Sequence, residues 1–233
     1  MVGHSRGVST LQTLDRGLRA LDHISQDPHG VSIAALAQHL GVHRAIAYRI
    51  VATLVEHGLV TRTHTGRVRL GAAAAVLSRR FAPQLLAAGR PVLRELARAT
   101  GATSFLSVAE GAECVVVLVE EVRGHGLRVT YQEGTRHPLH IGAPGLAILA
   151  ARPESPDDPE QVRIARSSGY SVTHGQLQPG AVGVSVGLVG VSTMAEIDLE
   201  ASVGVVAVGE LDIEVAAERS RLAQAELARL LDA

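Results

Sequence analysis

The densest chemistry in the sequence is cationic. Arg44 and Arg49 lie in HRAIAYRIVATLVEH, and Arg62, Arg67 and Arg69 bracket the turn-forming THTG of LVTRTHTGRVRLG. A guanidinium donates in a planar fork that matches phosphate oxygens, and Thr65 adds a hydroxyl donor at the turn itself. We therefore assign Arg49, Arg62, Thr65, Arg67 and Arg69 to phosphate contacts. His43, Arg44, Ala45 and Tyr48, where the HRAIAYR stretch begins, are placed to read base edges in a major groove. Tyr48 either reads a base or packs against a sugar. Arg16 and Arg19 serve equally well as phosphate contacts or as plain surface charges.

Other constellations point to less. Gly183-Val184-Ser185-Val186-Gly187 matches the hydrolase pattern G-x-S-x-G, whose serine needs a sharp strand-to-helix turn. Here valines flank the serine, the last histidine (His174) precedes it, and no oxyanion loop is evident, so an enzyme ranks third among the readings. The 11 histidines form no H-x-x-x-H on a helix and no HExxH set, and Cys114 is the one cysteine, so neither a metal nor a cofactor is expected. Cys114, inside a run of valines, reads as a small buried hydrophobe. His140, Gly142 and Ala143 stand where a strand meets a helix N-terminus, a natural anion or carbonyl site. Ser104, Ser107, Tyr131 and Ser185 on neighbouring strands complete a candidate effector pocket. His140 is otherwise a hydrogen-bonded structural residue.

The elements that must position these groups follow from periodicity. Leu11, Leu14, Leu18, Leu21 and Ile24 recur at helical spacing over 8–25, and QDPHG breaks the pattern. Ser32 is an N-cap for IAALAQHL, with Ile33, Leu36 and Leu40 inward, and Gly41 ends that helix. A longer helix runs from residue 43 to Gly58 with Ile46, Ile50, Val51 and Leu54 as its core stripe. A Thr-Gly turn then makes a hairpin. Helix, helix, glycine turn, longer helix and basic hairpin is the order of a winged helix-turn-helix. Residues 72–100 read as linker helices with a joint at Gly89-Arg90-Pro91. From 101 onward TSFLSVAE, AECVVVLVEEV, LRVTY, YSVTH, VGVSVGLV and VGVVAVGEL read as strands. Helices over 142–151, 161–169 and 213–231 accompany them, an α+β domain. The expected domains are 1–71, 72–100 and 101–233.

Charge supports a division of labour. Residues 1–80 carry ten arginines and four acids, net +6, and the remainder carries twelve arginines and nineteen acids, net −7. A basic N-terminal third favours a polyanion partner there. With three Tyr, two Phe and no Trp, a stacking platform for single strands is disfavoured, and duplex DNA fits better. No apolar run approaches the roughly 20 residues that cross a bilayer, and the N-terminus lacks a signal-peptide pattern. A cytoplasmic protein with no membrane partner is expected. The second reading is a non-catalytic ligand-binding or scaffolding protein whose winged helix touches only protein.

GVHRAIAYRIVATLVEHGLV with TGRVRLG, TLDRGLRALDHIS, GTRHPLHIGAPGLAILA and RSSGYSVTHGQLQPGAVGVSV together resemble the IclR family of bacterial transcriptional regulators. The resemblance implies a winged-helix domain, a linker helix and a C-terminal profilin/GAF-like domain that binds a small effector. It also implies a homodimer or dimer of dimers on a double-stranded DNA operator, as repressor or dual regulator. Ala45 and Ile46 replace the family's usual Ser or Thr early in the recognition helix. Gln176 and Gly183 stand where an acid and a cysteine are common in the effector site, and Ala207, Val208 or Gly209 where serines hold a ligand carboxylate. The stretch leading to RIARSSGY is shorter than usual. These departures imply a more apolar effector, or reduced sensing.

Overall fold

In the computed structural model, which describes residues 10–121 and 131–232, the chain divides between Ala82 and Pro83 into two units. The first contains α1 (Gln12–Ser25), α2 (Ile33–Leu40), α3 (Arg44–Glu56), a hairpin of β1 (Val60–Arg62) and β2 (Val68–Leu70), and α4 (Ala72–Ser78). Ser32 caps α2, its hydroxyl accepting the Ala35 N–H at 3.1 Å, and Gly41 ends the helix at φ 63°. The core joins Ala20 and Ile24 of α1 to Leu36 and Leu40, Ile50, Val51 and Leu54, and Val60 and Val68 of the hairpin. Val31 exchanges two backbone hydrogen bonds of 2.8 Å with Val68, which ties the segment before α2 to the hairpin. Gly30 permits that approach. Its φ is +83°, and a Cβ there would stand 2.8 Å from the Val68 carbonyl oxygen.

Two parts of the expected helix packing are corrected. Leu11, Leu14 and Leu18 are 74%, 58% and 58% exposed, because they line an apolar groove beside Ile50 and Leu54 rather than a closed core. Ile46 is exposed and Ala47 is buried in its place. Residues 47, 50, 51 and 54 form the true i, i+3, i+4, i+7 stripe. Val8 and Ser9 of the expected first helix lie outside the described residues.

The second unit is a six-stranded antiparallel sheet with helices on both faces. Its strands are β3 (Thr103–Glu110), β4 (Glu113–Glu120), β5 (Arg136–Pro138), β6 (Ser171–His174), β7 (Ala181–Gly187) and β8 (Ala201–Val208), in the order β5-β4-β3-β8-β7-β6. Its helices are α5 (Pro83–Thr100), α6 (Ala143–Ala151), α7 (Glu160–Ser168), α8 (Ser192–Glu196) and α9 (Ile213–Leu231). Alternation along the strands sorts the two faces. Ser104 points at α5, donating to the Leu93 carbonyl at 2.7 Å, whereas Gly183 and Gly187 lie under Ala143 and Ala147 of α6. This is the α+β architecture expected. The three-residue β5 and the five-residue α8 are too short for periodicity to announce. The strand expected at LRVTY falls, except for Tyr131, outside the described residues.

The joint expected at Gly89-Arg90-Pro91 is absent. α5 runs unbroken through Pro91 and packs on the sheet as part of the second unit. Proline in a helix interior costs about 3 kcal/mol. That is offset by the buried stripe of Leu85, Gly89, Val92, Leu93 and Leu96. Gly89 also lets α5 approach closely, since a Cβ there would meet Leu118 at 2.9 Å and Leu106 at 3.3 Å.

Candidate nucleic-acid interface and ligand cavity

Burying residues 47, 50, 51 and 54 of α3 turns Ala45, Arg49 and Ala52 directly outward, with Arg44 and Tyr48 along one flank. All five are exposed, as is His43 at the N-cap position. The hairpin adds to this face selectively. Arg62 lies over the Tyr48 ring, its guanidinium carbon 4.9 Å from the centroid, which links wing and helix through a cation–π contact. Thr65 sits at the hairpin tip, its hydroxyl 2.8 Å from that of Thr63. Among the described residues, Arg44, Arg49, Arg62 and Arg69 form no ion pair with an acid. Arg69 pairs with Thr61 across the hairpin, on the face opposite Val68 and Arg62.

Arg67 is corrected to a structural position. Its Nε donates to the Gly30 carbonyl at 2.7 Å and its head group stands 3.5 Å from Asp27. The side chain thereby braces the loop between α1 and α2 against the hairpin.

The second unit holds a cavity of about 380 Å³ on the α6 face of its sheet. Apolar walls come from Phe105, Pro144, Leu177, Pro179, Ala181 and Val206, and a polar end from Tyr131 and His137, whose Oη and Nε2 are 3.2 Å apart. Phe105 and Tyr131 meet edge to face at 5.1 Å. Burial raises the Tyr131 phenol above its ordinary range and lowers His137, so both are neutral at pH 7. Arg136 at the rim is engaged by Glu110 at 2.9 Å and Glu113 at 3.0 Å, chiefly the Glu110 hydrogen bond holding its charge. Cys114, buried beside α6, is pushed up to about 12 by desolvation and is held as a thiol.

Of the sequence-selected pocket residues, Tyr131, Ala143, Gln176 and Gly183 line this cavity, and Gly142 lies buried at its edge beneath Leu177. Ser104 faces α5 instead. Residues 104 and 107 differ by an odd number along one strand and take opposite faces, a parity visible in the sequence. Ser107 shares the Phe105 face but stands behind the wall, near Cys114 and Tyr131. Ser185 is in mid-strand, donating to the Val203 carbonyl at 3.1 Å, so the G-x-S-x-G stretch has no nucleophile elbow. His140 is exposed in a turn outside the walls; its neighbour His137 takes the inward place on β5.

Two family models match this arrangement. One described as the IclR helix-turn-helix domain covers residues 13–64, and one described as the bacterial transcriptional regulator IclR C-terminal covers residues 82–163. The chain belongs to the IclR family. It is 28% identical over 173 residues to the transcriptional repressor IclR of Escherichia coli K12, covering 72% of this chain and 61% of that protein. It is 32% identical over 154 residues to the HTH-type transcriptional regulator TtgV of Pseudomonas putida, covering 66% and 58%. The matched segments thus span about three fifths of those relatives. Among solved structures, an IclR homolog complexed with 4-hydroxybenzoate from Microbacterium hydrocarbonoxydans superposes with a TM-score of 0.77 at 20% identity, covering 94% of this chain and 98% of that one. The IclR architecture of a helix-turn-helix unit followed by a curled antiparallel sheet with helices is therefore that of this chain.

Several members of the IclR-type cavity escaped sequence reasoning. Phe105, Thr173, Leu177 and Val206 come from four separate segments, and only the sheet register brings them together. Ala52 on α3, one full turn and more from Ala45 of the sequence-selected set, shares its outward face and was not singled out.

Proposed function

We propose that the protein is a sequence-specific, DNA-binding transcriptional regulator of the IclR type, a repressor or dual regulator controlled by a small effector in the second unit. The observation that carries this reading is the set of arginines on the outward face of α3 and the hairpin without acidic partners among the described residues. An unpaired guanidinium on an exposed, convex element suits a phosphate backbone. In this reading Arg44, Ala45, Tyr48 and His43 read bases, Arg49, Arg62 and Thr65 hold phosphates, Arg67 shapes the wing, and Arg69, on the other face of the hairpin, stays outside the set. The cavity around Tyr131, His137 and Val206 is the effector site. The ligand-bound relative with 4-hydroxybenzoate is in keeping with a single-ring effector, and a volume of about 380 Å³ is at the small end for ligand cavities.

Self-association completes the proposal. The exposed Leu11, Leu14 and Leu18 of α1 and Val76, Leu77 and Phe81 around α4 are apolar surface of the kind that a homodimer or dimer of dimers covers. No helix among the described residues is long and apolar enough to cross a membrane, and the cytoplasm is the proposed location.

The test is a gel shift on footprint-selected genomic fragments across a salt series. With roughly two to three phosphates neutralised by arginine per half-site, log K is expected to fall against log salt with a slope of about −2 to −3 per half-site. Binding that ignores salt, or no binding at all, overturns the proposal.

A further inference from the structure

The backbone amides that open α6 are already used. Gly142 N–H donates to Gln176 Oε1 at 2.8 Å and Ala143 N–H donates to Thr173 Oγ1 at 3.1 Å. Leu177 lies over the same place, so close that a Cβ on Gly142 would stand 2.7 Å from its Cδ1. The donors by which a helix N-terminus holds an anion are therefore bonded and covered. Arg136, the one arginine in the cavity wall among the described residues, is held by Glu110 and Glu113. A carboxylate entering this space would lose its hydration without gaining the charge-assisted donors that offset that loss.

The polar end has a definite sense. His137 Nδ1 lies 3.2 Å from the Pro138 carbonyl oxygen, which can only accept, so Nδ1 carries the ring proton. Nε2 of the neutral ring is then an acceptor, and the Tyr131 hydroxyl 3.2 Å away must donate to it. What Tyr131 has left for a ligand is a lone pair on its oxygen. The cavity thus offers largely apolar walls, the Tyr131 oxygen as a buried acceptor, and otherwise uncharged polar side chains at Thr135, Thr173, Gln176 and Gln178 beside the engaged Arg136.

We infer that the cavity selects a small uncharged apolar molecule bearing one hydroxyl donor, of the phenol type, and discriminates against carboxylates. The inference rests on the effector role proposed above for this cavity and names the ligand's chemical class. Selectivity comes from two features of this chain: the Gln176 and Thr173 caps on α6, and the Pro138–His137–Tyr131 relay that turns the phenol oxygen into an acceptor.

Calorimetric titration of the full chain with three probes tests it. These are 4-methylphenol, its methyl ether, and its counterpart in which a carboxylate replaces the ring methyl group. The expected result is binding of 4-methylphenol at least about tenfold tighter than either of the others. Tyr131→Phe is expected to bring the phenol and its ether to equal affinity. The pair Thr173→Val with Gln176→Ala is expected to raise affinity for the carboxylate. A wild-type chain that binds the carboxylate more tightly, or the ether as well as the phenol, overturns the inference and leaves the effector cavity standing. Binding that persists unchanged in the cavity-filling variant Val206→Phe, or no binding of any probe, overturns both. The wild-type series decides the matter even if a variant fails to fold.

Discussion

The two units use their polar side chains in opposite ways. On the helix-turn-helix unit, Arg44, Arg49, Arg62 and Arg69 are exposed and have no acidic partner among the described residues. In the sheet unit nearly every polar group near the cavity is bonded within the unit: Thr173 and Gln176 to α6, Tyr131 to His137, Arg136 to Glu110 and Glu113. Arg166 behaves likewise, gathering Asp158 and the carbonyls of Leu149, Ala150 and Arg152 at the end of α6. A surface that meets a polyanion supplied from outside can leave its cations unpaired in water at little cost. A cavity lined by the protein's own low-dielectric interior cannot, and it satisfies its polar atoms internally before any ligand arrives.

That contrast can be broken at several places. The largest effect is expected where the sheet unit has no slack. At Gly204 of β8 a Cβ would stand 2.2 Å from the Val184 carbonyl oxygen, so Gly204→Val should lower stability by about 3 kcal/mol in urea unfolding. On the other unit, Arg49→Ala should weaken DNA binding about tenfold and make the salt slope shallower by about 1, with stability unchanged. Arg44→Ala should instead flatten the preference for operator over random DNA. Arg67→Ala sharpens the comparison, because this arginine is engaged like those of the sheet unit. It should cost about 1 kcal/mol of stability and less than about threefold in DNA affinity; a tenfold affinity loss with unchanged stability would return Arg67 to the phosphate set.

Smaller effects follow in the sheet unit. Burial lowers His137 below its ordinary 6.5, so below that pH the unfolded chain binds a proton that the folded chain resists. Stability supplied by neutral His137 is present above 6.5 and is lost on acidification. Melting temperature should therefore fall as the pH drops below about 6.5, and fall less steeply in His137→Gln. Least affected is Arg152→Ala, which removes a half-exposed bidentate pair with Glu200 (2.8 and 2.6 Å) and should cost under about 1 kcal/mol.

The winged helix-turn-helix was legible because its signals are local. Ser32 and Gly41 punctuate α2, apolar residues recur at helical spacing, and the Thr-Gly turn sits between arginines. An error arose where one face had to be chosen among neighbours, Ile46 for Ala47. The cavity was only partly legible. Four of its lining residues, Tyr131, Ala143, Gln176 and Gly183, were named from the sequence, the last three in two separate motif blocks that the fold brings together at the start of α6. Ser104 was placed there and faces α5, and Ser185, although on the α6 face with Gly183, stands outside the cavity with its hydroxyl bonded to the Val203 carbonyl.

By itself the sequence determined the order of elements in the first unit, its basic character and, through its motif blocks, the resemblance to the family. These reside in local residue patterns, which need no long-range contact to be expressed. Tertiary structure decided which arginines stay unpaired, that α5 passes through Pro91 without a joint, and that the donors of α6 are capped from β6 and the loop after it. Those outcomes depend on groups 30 or more residues apart meeting at hydrogen-bond distance, as Ala143 and Thr173 do, and only the folded sheet brings them together.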